Sequence, residues 1–363
     1  MKYKLSEIGK IVGGGTPSSK HEEYYTPNGI PWLTPKDLSN YTNMYISRGA
    51  RDITEEGLKK SSAKLLPAKS ILVSSRAPIG YVAIANNSIS TNQGFKSIVP
   101  NTDIVIPEYL YFVMKKSKAA LEQVSSGSTF KEVSTKVMSN FEVDIPSIEV
   151  QRKILTYLMP ISQKIELNKR INDNLLDVAQ LIFNSMFPNV NYGTQTIGEL
   201  TKNFDKFRKP LSKKQRIEIQ GNYRYIGATS VNDYISKYNF DGIYLLLAED
   251  GSVQDNNGFP ILQYVFGKFW PNNHTHVLQG NNISTEWLYL FFRQHKVSEL
   301  VTGAVQPKIS QSNLNKISIT APTEEEKEIF STRTDNIFSL IRQNELQSTK
   351  LLMLKNLLLS KYF

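Results

Sequence analysis

One stretch of this chain occurs twice, and the repeat limits the architectures open to it. From Pro146 to Phe187, apolar residues recur in alternating steps of four and three: Ile154, Leu158, Ile161 and Ile165, then Leu175, Ala179, Ile182 and Met186. That period belongs to a helix with one narrow apolar seam, the kind that pairs with another helix. Ser147 suits the N-cap and Glu149 the first turn. Pro160 is an internal breaker, expected to kink the helix or lift its first turns slightly. Pro322 to Phe363 repeats the design 176 positions later. Thr323 and Glu326 have capping-box spacing. The second seam runs Phe330, Thr334, Ile337, Ile341, Asn344, Ser348, Leu351, Lys355, Leu358 and Tyr362. Aligned, Ile161 meets Ile337, Leu175 meets Leu351, and Phe187 meets Phe363. A repeat of this length predicts a duplicated unit.

The sequence around the arms repeats at landmarks only. Residues 1–146 carry short apolar runs with strand character at Ile30–Thr34, Ile71–Ser74, Gly80–Ala85 and Gln93–Val99, then a helical stretch from Pro107. Residues 196–322 echo them. Tyr223–Gly227 falls where Ile30–Leu33 falls, Ile243–Ala248 where Ile71–Ser75 falls, and Gly303–Lys308 where Gly127–Glu132 falls. The polar stretch 188–195 reads as a linker. The expected organisation is a domain at 1–146, a helical spacer at 147–187, the linker, a second domain at 196–322 and a second spacer at 323–363. The class is α+β, with a curved or barrel-like sheet and helices in each domain. Common frames with divergent surfaces imply an asymmetric, two-part target.

Charge narrows the partner. The chain carries a formal net charge of +10, which on a chain of this type points first to a polyanion such as nucleic acid. It has no cysteine, which excludes disulfides and thiolate metal sites and suits a reducing cytoplasm. No apolar tract has the length of a membrane span, and the first residues carry no signal-peptide pattern.

Catalytic motifs are missing. Gly13–Gly15 lacks the ending of a phosphate loop, no Gly-x-Gly-x-x-Gly occurs, and Asn256-Asn257-Gly258-Phe259 only superficially resembles a methyltransferase motif. His21, His274, His276 and His295 form no convincing metal set, because no nearby carboxylate completes one. Nucleic-acid contact has better candidates. Lys206, Arg208 and Lys209 lie in a basic run suited to phosphate. Arg76, Asn92, Gln93 and Lys96 in the first domain carry the donors and acceptors that base edges require. Lys268, Asn272, Asn273 and His274 do so in the second. Ser128, Thr129 and Lys131, with Gln306 and Lys308, occupy equivalent glycine-initiated turns whose N–H groups suit phosphate. The interspersed Tyr and Phe read as core.

The landmarks Gly14-Gly15-Thr16-Pro17, Ile30-Pro31-Trp32-Leu33-Thr34, Ser90-Thr91-Asn92-Gln93-Gly94-Phe95, the Gly127-Ser128 and Gly303-Ala304 turns, and the Ile145-Pro146 and Ala321-Pro322 helix starts occur in a telling order. In that order the chain resembles the specificity subunits of type I restriction–modification enzymes along essentially its whole length. The resemblance implies two target-recognition domains, each reading one part of a split site in double-stranded DNA. It implies arms packed as an antiparallel coiled coil about a pseudo-twofold axis. It implies two modification subunits that bind S-adenosylmethionine and methylate adenine, and two restriction subunits that use ATP and Mg²⁺. This chain itself then holds no cofactor or metal and does no chemistry. Asn168 and Asn344 sit at the midpoints of the two seams, so antiparallel arms bring them together, where a polar pair would fix register. Off the seams, Leu167, Ile171, Val178, Leu181 and Phe183, with Leu340, Leu346, Leu352, Leu354, Leu357 and Leu359, are expected to form outward faces for partners. Two other classes compete. One is a two-headed protein adaptor with incidental charge. The other is a single-chain nuclease or methylase with an unfamiliar site.

Overall fold

The computed structural model describes residues 1–363 except 40, 127–130 and 304. It divides into two units, Met1–Leu167 with Ser348–Phe363, and Asn168–Gln347. Both divisions fall inside long helices, Ile148–Met186 and Glu324–Tyr362, of 39 residues each. The first helix continues through Pro160.

In the first unit a five-stranded sheet runs in the order Gly9–Gly13, Lys96–Pro100, Ile71–Val73, Val82–Ala85, Tyr45–Ile46. Strand side chains alternate between faces, and here both faces are apolar. Ile71, Val73, Ile84 and Ile98 point into a core shared with Leu110 and Phe112 of the helix Pro107–Lys116. Leu72, Ala83 and Ala85 point the other way, toward Leu33 and Phe95. A smaller sheet joins Tyr25–Thr26, Arg51–Ile53, Ile30–Leu33 and Ser90–Thr91. The long helices close the first core from outside. Ile154, Leu155 and Leu158 are buried in it, and Leu358, Leu359, Tyr362 and Phe363 pack against it. The Phe363 ring lies 4.9 Å from that of Tyr109. Gln151 ties the helix start down. Its fully buried amide donates to the carbonyls of Ile104 and Pro146, both at 2.9 Å, and accepts from the Ile106 N–H at 2.8 Å.

The second unit has a six-stranded sheet in the order Thr201–Asn203, Thr275–Gly280, Phe240–Ala248, Leu262–Pro271, Gln220–Ile226, Val231–Ile235. Alternation again builds two cores. Leu245, Leu247 and Leu278 face the helix Thr285–Gln294, while Tyr244, Leu246, Val277 and Phe269 face away from it. Trp287 of that helix meets Phe183 at 5.2 Å and Phe187 at 5.7 Å, and Phe330 meets the same two rings at 6.1 and 5.8 Å. Phe183 is therefore fully buried rather than part of an outward face. Phe183 and Phe187 continue from the seam residue Ala179 at four-residue spacing, off the seam, and face the sheet-covering helix. Leu359 likewise turns onto the first core. By contrast Leu167, Val178, Leu181, Leu340, Leu346, Leu352, Leu354 and Leu357 are exposed. The stretch 188–195 contains the short 3₁₀ turn Val190–Tyr192, whose Val190 is buried.

Within this unit the two helices are joined by amide hydrogen bonds. Asn168, 1% exposed, donates to the Asn344 carbonyl at 3.3 Å and to the Gln347 side chain at 2.8 Å. Asn172 donates to the Ile341 carbonyl at 3.0 Å, and Asn344 donates to the Asn172 side chain at 2.8 Å. As one segment advances, its partner retreats, so the segments run antiparallel. Thr323 and Glu326 complete the expected capping box at the start of the second helix.

A charge cluster closes one end of the six-stranded sheet. The His276 ring is 1% exposed. Its Nδ1 lies 2.5 Å from Asp205 Oδ2, and its Nε2 lies 2.9 Å from the Ile309 carbonyl oxygen. Both neighbours are acceptors, so the surroundings favour a proton on each ring nitrogen, the cationic form. Arg208 donates to Glu249 at 2.6 Å and to the Thr275 carbonyl at 2.7 Å, and lies 3.5 Å from Asp205. Lys308 sits 3.1 Å from the other Glu249 oxygen. Burial works against the His276 cation, but the hydrogen bond and charge of Asp205 outweigh it and raise the pKa. Burial likewise opposes the Asp205 and Glu249 carboxylates. Hydrogen bonds from His276 and from Arg208 respectively win, and both pKa values are lowered.

Two outcomes follow from this packing. Phe183→Ala should destabilise the chain by about 3–5 kcal/mol through lost burial and a residual cavity, read by denaturant unfolding followed through tryptophan fluorescence. The His276 contribution is complete below the unfolded histidine pKa of about 6.5 and is lost as pH rises through the raised folded value. Stability should therefore fall as pH rises above the unfolded histidine value and through the raised folded one. His276→Gln should flatten that slope in unfolding curves taken at constant ionic strength.

Candidate nucleic-acid interface

Interior strands and the turns beside them carry most of the candidate residues, and the fold gives those residues unequal freedom. In the first unit Arg76 and Lys96 converge on Glu132, at 3.0 and 3.2 Å. Lys96 is 9% exposed, and its ammonium is spent inside the fold. Burial pulls the Glu132 carboxyl up, but hydrogen bonds from Lys96 and Arg76 leave it below its usual range. Asn92 uses its side-chain oxygen to accept the Gly94 N–H at 2.9 Å, shaping the turn before Lys96–Pro100. Gln93 is exposed beside the Thr16 hydroxyl, which donates to it. Lys131 is exposed. Ser128 and Thr129 lie outside the described residues.

In the second unit Arg208 belongs to the buried cluster and keeps 14% side-chain exposure. Asn272 is 7% exposed; its N–H donates to the Ile226 carbonyl and its side chain accepts from the His274 N–H. Both residues build the fold more than they offer a surface. Lys206 and Lys209 are exposed, with the Lys206 ammonium 5.0 Å from the Phe207 ring. Asn273 and Gln306 are exposed as well. His274 is half exposed and paired with Asp250 at 2.6 Å. Lys308 is half exposed on Glu249. The turn ahead of Lys308 depends on Gly303. Its φ is +88°, and a Cβ there would stand 2.3 Å from the Gln306 carbonyl oxygen.

The sequence reading passed over an aromatic surface. Tyr223 and Tyr238 meet edge to face at 5.0 Å, and the Lys268 ammonium stands 4.6 Å above the Tyr238 ring. Tyr238 and Tyr234 are 41% and 44% exposed, and Phe207 is 50% exposed. Its interaction with the Tyr238 phenol raises the Lys268 pKa. Aromatic faces beside cations suit stacking on bases and contact with phosphate. The available signal was position, since Tyr234 and Tyr238 stand in a polar stretch, away from any apolar run.

Carboxylates do stand at both histidines, Asp250 at His274 and Asp205 at His276. Asp205, Glu249 and His276 bring ligand atoms within 4.8 Å of one another. In the same cluster both His276 nitrogens face acceptors, and Arg208 and Lys308 pair with Glu249. Among the described residues, no helix is long and apolar enough to cross a membrane.

Comparison with known proteins converges on one family. The model of the type I restriction modification DNA specificity domain matches twice, at residues 1–177 and 189–355. The type I restriction enzyme MjaIX specificity subunit of Methanocaldococcus jannaschii is 46% identical over 186 residues, 51% of this chain and 43% of that protein. The EcoR124I/EcoR124II specificity subunit of Escherichia coli is 30% identical over 160 residues, 42% of this chain and 39% of that one. These matches thus span less than half the length of either relative. A crystal structure of a type I restriction-modification S subunit from M. genitalium shares the fold, with a TM-score of 0.53 at 15% identity over 100% of this chain and 96% of its own. With the family model matching nearly the whole sequence, the chain belongs to the type I restriction modification DNA specificity family.

Proposed function

We propose that this chain is the sequence-specific DNA-binding subunit of a type I restriction–modification complex, with each unit reading one part of an asymmetric, bipartite site. The observation that carries the reading is the double family match, one copy for each sheet-and-helix unit. The basic balance and the exposed Lys206, Lys209, Lys268, Gln93 and Gln306 are compatible with phosphate and base contact. The chain is the non-catalytic member. Two modification subunits supply S-adenosylmethionine and adenine methylation, and two restriction subunits supply ATP- and Mg²⁺-dependent cleavage, in the cytoplasm. The exposed leucines of the long helices suit docking of such partners.

The same reading takes the paired long helices as an antiparallel coiled coil that sets the spacer between half-sites, and the two units as copies of one ancestral module. Matching strand order supports the duplication. Gly9–Gly13, Lys96–Pro100, Ile71–Val73 and Val82–Ala85 follow one another as Thr201–Asn203, Thr275–Gly280, Phe240–Ala248 and Leu262–Pro271 do. The Asn168, Asn172, Asn344 and Gln347 bonds support a fixed register. A slipped register would leave these amides facing apolar side chains without partners.

Replacing residues 196–322 with those of a relative should change one half of the methylated sequence and leave the other, by methylome sequencing with the modification subunits present. A change in both halves would sink the two-reader assignment. Binding of the chain to duplex DNA should weaken steeply as salt rises, whereas a protein adaptor would show no such slope. Methyl transfer by the isolated chain given labelled S-adenosylmethionine and Mg²⁺ would favour the enzyme reading. Asn168→Leu with Asn344→Leu should keep or raise the unfolding temperature while relaxing discrimination among half-site spacers. Unchanged spacer discrimination would leave these asparagines as ordinary helix residues.

A further inference from the structure

Both units fasten a short described segment, 131–133 in the first and 307–309 in the second, with the same main-chain bonds. In the first, the Val133 N–H donates to the Ser75 carbonyl at 2.8 Å and the Ser75 N–H to the Gly94 carbonyl at 2.7 Å. Arg76 and Glu132 face each other as antiparallel bridge partners. In the second, the Ile309 N–H donates to the Glu249 carbonyl at 2.9 Å and the Glu249 N–H to the His274 carbonyl at 2.9 Å. Asp250 and Lys308 are the bridge partners. Position by position, Ser75 corresponds to Glu249, Arg76 to Asp250, Lys96 to His276, and Glu132 to Lys308.

On this shared frame the charges of the bridge pair are reversed, Arg76 and Glu132 in the first unit against Asp250 and Lys308 in the second, while Lys96 and His276 at the third position are both basic. In the first unit two cations of the sheet, Arg76 and Lys96, hold the anion Glu132 of the turn segment. In the second an anion of the sheet, Glu249, holds the cation Lys308, with Asp250 beside it engaged by His274. Glu132 keeps a third of its side-chain exposure and Lys308 half. Ion pairs so exposed stabilise a fold by about 0–1 kcal/mol, which is little. A mismatch is another matter. A glutamate at the second frame would face Glu249 and Asp250, and a lysine at the first would face Arg76 and Lys96. Like charges placed together act chiefly against the wrong partner.

We propose that Glu132 and Lys308 are positioning residues whose opposite charges hold each turn segment on its own sheet and exclude the other unit's segment. They thereby place the exposed Lys131 and Gln306 at their separate recognition surfaces. The assignment of recognition rests on the two-reader function above; the ion pairing does not. It follows that a recognition module transfers between relatives only if the sheet strand and the turn segment travel together.

The test is hydrogen exchange on the full-length chain, without DNA, read at the Val133 and Ile309 amides. Glu132→Lys should speed exchange several-fold at Val133 and leave Ile309 unchanged, so that Ile309 controls for general unfolding. Lys308→Glu should do the reverse. Combining Glu132→Lys with Arg76→Glu and Lys96→Glu gives the new lysine two anions to pair with and should restore slow exchange at Val133. With the modification subunits added, Glu132→Lys should weaken methylation through one half-site only. Unchanged exchange in both single variants, or a triple variant no slower than Glu132→Lys, would overturn the proposal. Restored exchange in a wild-type and variant set that binds no DNA would uphold the ion-pair role and remove the two-reader function instead.

Discussion

The five-stranded and the six-stranded sheet are each covered by one short helix, and that helix is itself covered by the long arms. Without that second cover, Tyr109 and Phe112 in one unit and Trp287 in the other would lose their aromatic partners on the arms. A sheet and a single ten-residue helix make a thin core. The arms add the layer that completes it. In the second unit the cover is aromatic, with Phe183, Phe187 and Phe330 around Trp287. In the first it is mixed, with Ile154, Leu155 and Leu158 from one arm and Leu358, Tyr362 and Phe363 from the other. The arms thus have two inward faces, one toward each other and one toward a sheet-covering helix. What remains outward is the leucine-rich surface from Leu346 to Leu357 and around Val178 and Leu181.

This double duty explains what could be read from the sequence. The four–three spacing located both arms and placed Asn168 against Asn344, because pairing of two helices leaves a periodic mark. The second inward face left a weaker one. Phe183 and Leu155 lie off the seam, and their burial depends on a helix more than a hundred positions away in the first case. Gln151 gave no signal, since its partners are backbone carbonyls of a loop. Apolar runs located the central strands such as Ile71–Val73 and Phe240–Ala248, but the two-residue strands Tyr25–Thr26 and Ser90–Thr91 are too short to show a period.

The candidate surface was legible by residue type and illegible by engagement. Lys96, Arg208 and Asn272 have suitable chemistry, yet tertiary partners consume it. Those partners, Glu132 and Glu249, stand 36 and 41 positions from the cations they hold, and neither was singled out. Exposure, not chemistry, separates Lys268 and Gln306 from Lys96 and Arg208. The aromatic surface of Tyr223 and Tyr238 was missed for the complementary reason. Tyrosine is so often a core residue that type alone assigned it there, and only the fold places it beside Lys268 in the open.

The packing of Tyr362 and Phe363 onto Tyr109 and Phe112 has a consequence for biosynthesis. A ribosome delivers the first sheet early, but the residues that seal its core come some 250 positions later, a distance on the order of a whole further domain. The second unit, whose contributions all lie between Asn168 and Gln347, can close before that happens. The unit made first is therefore finished last, and it waits with apolar surface exposed while its neighbour folds, the interval in which a nascent chain most needs protection from aggregation.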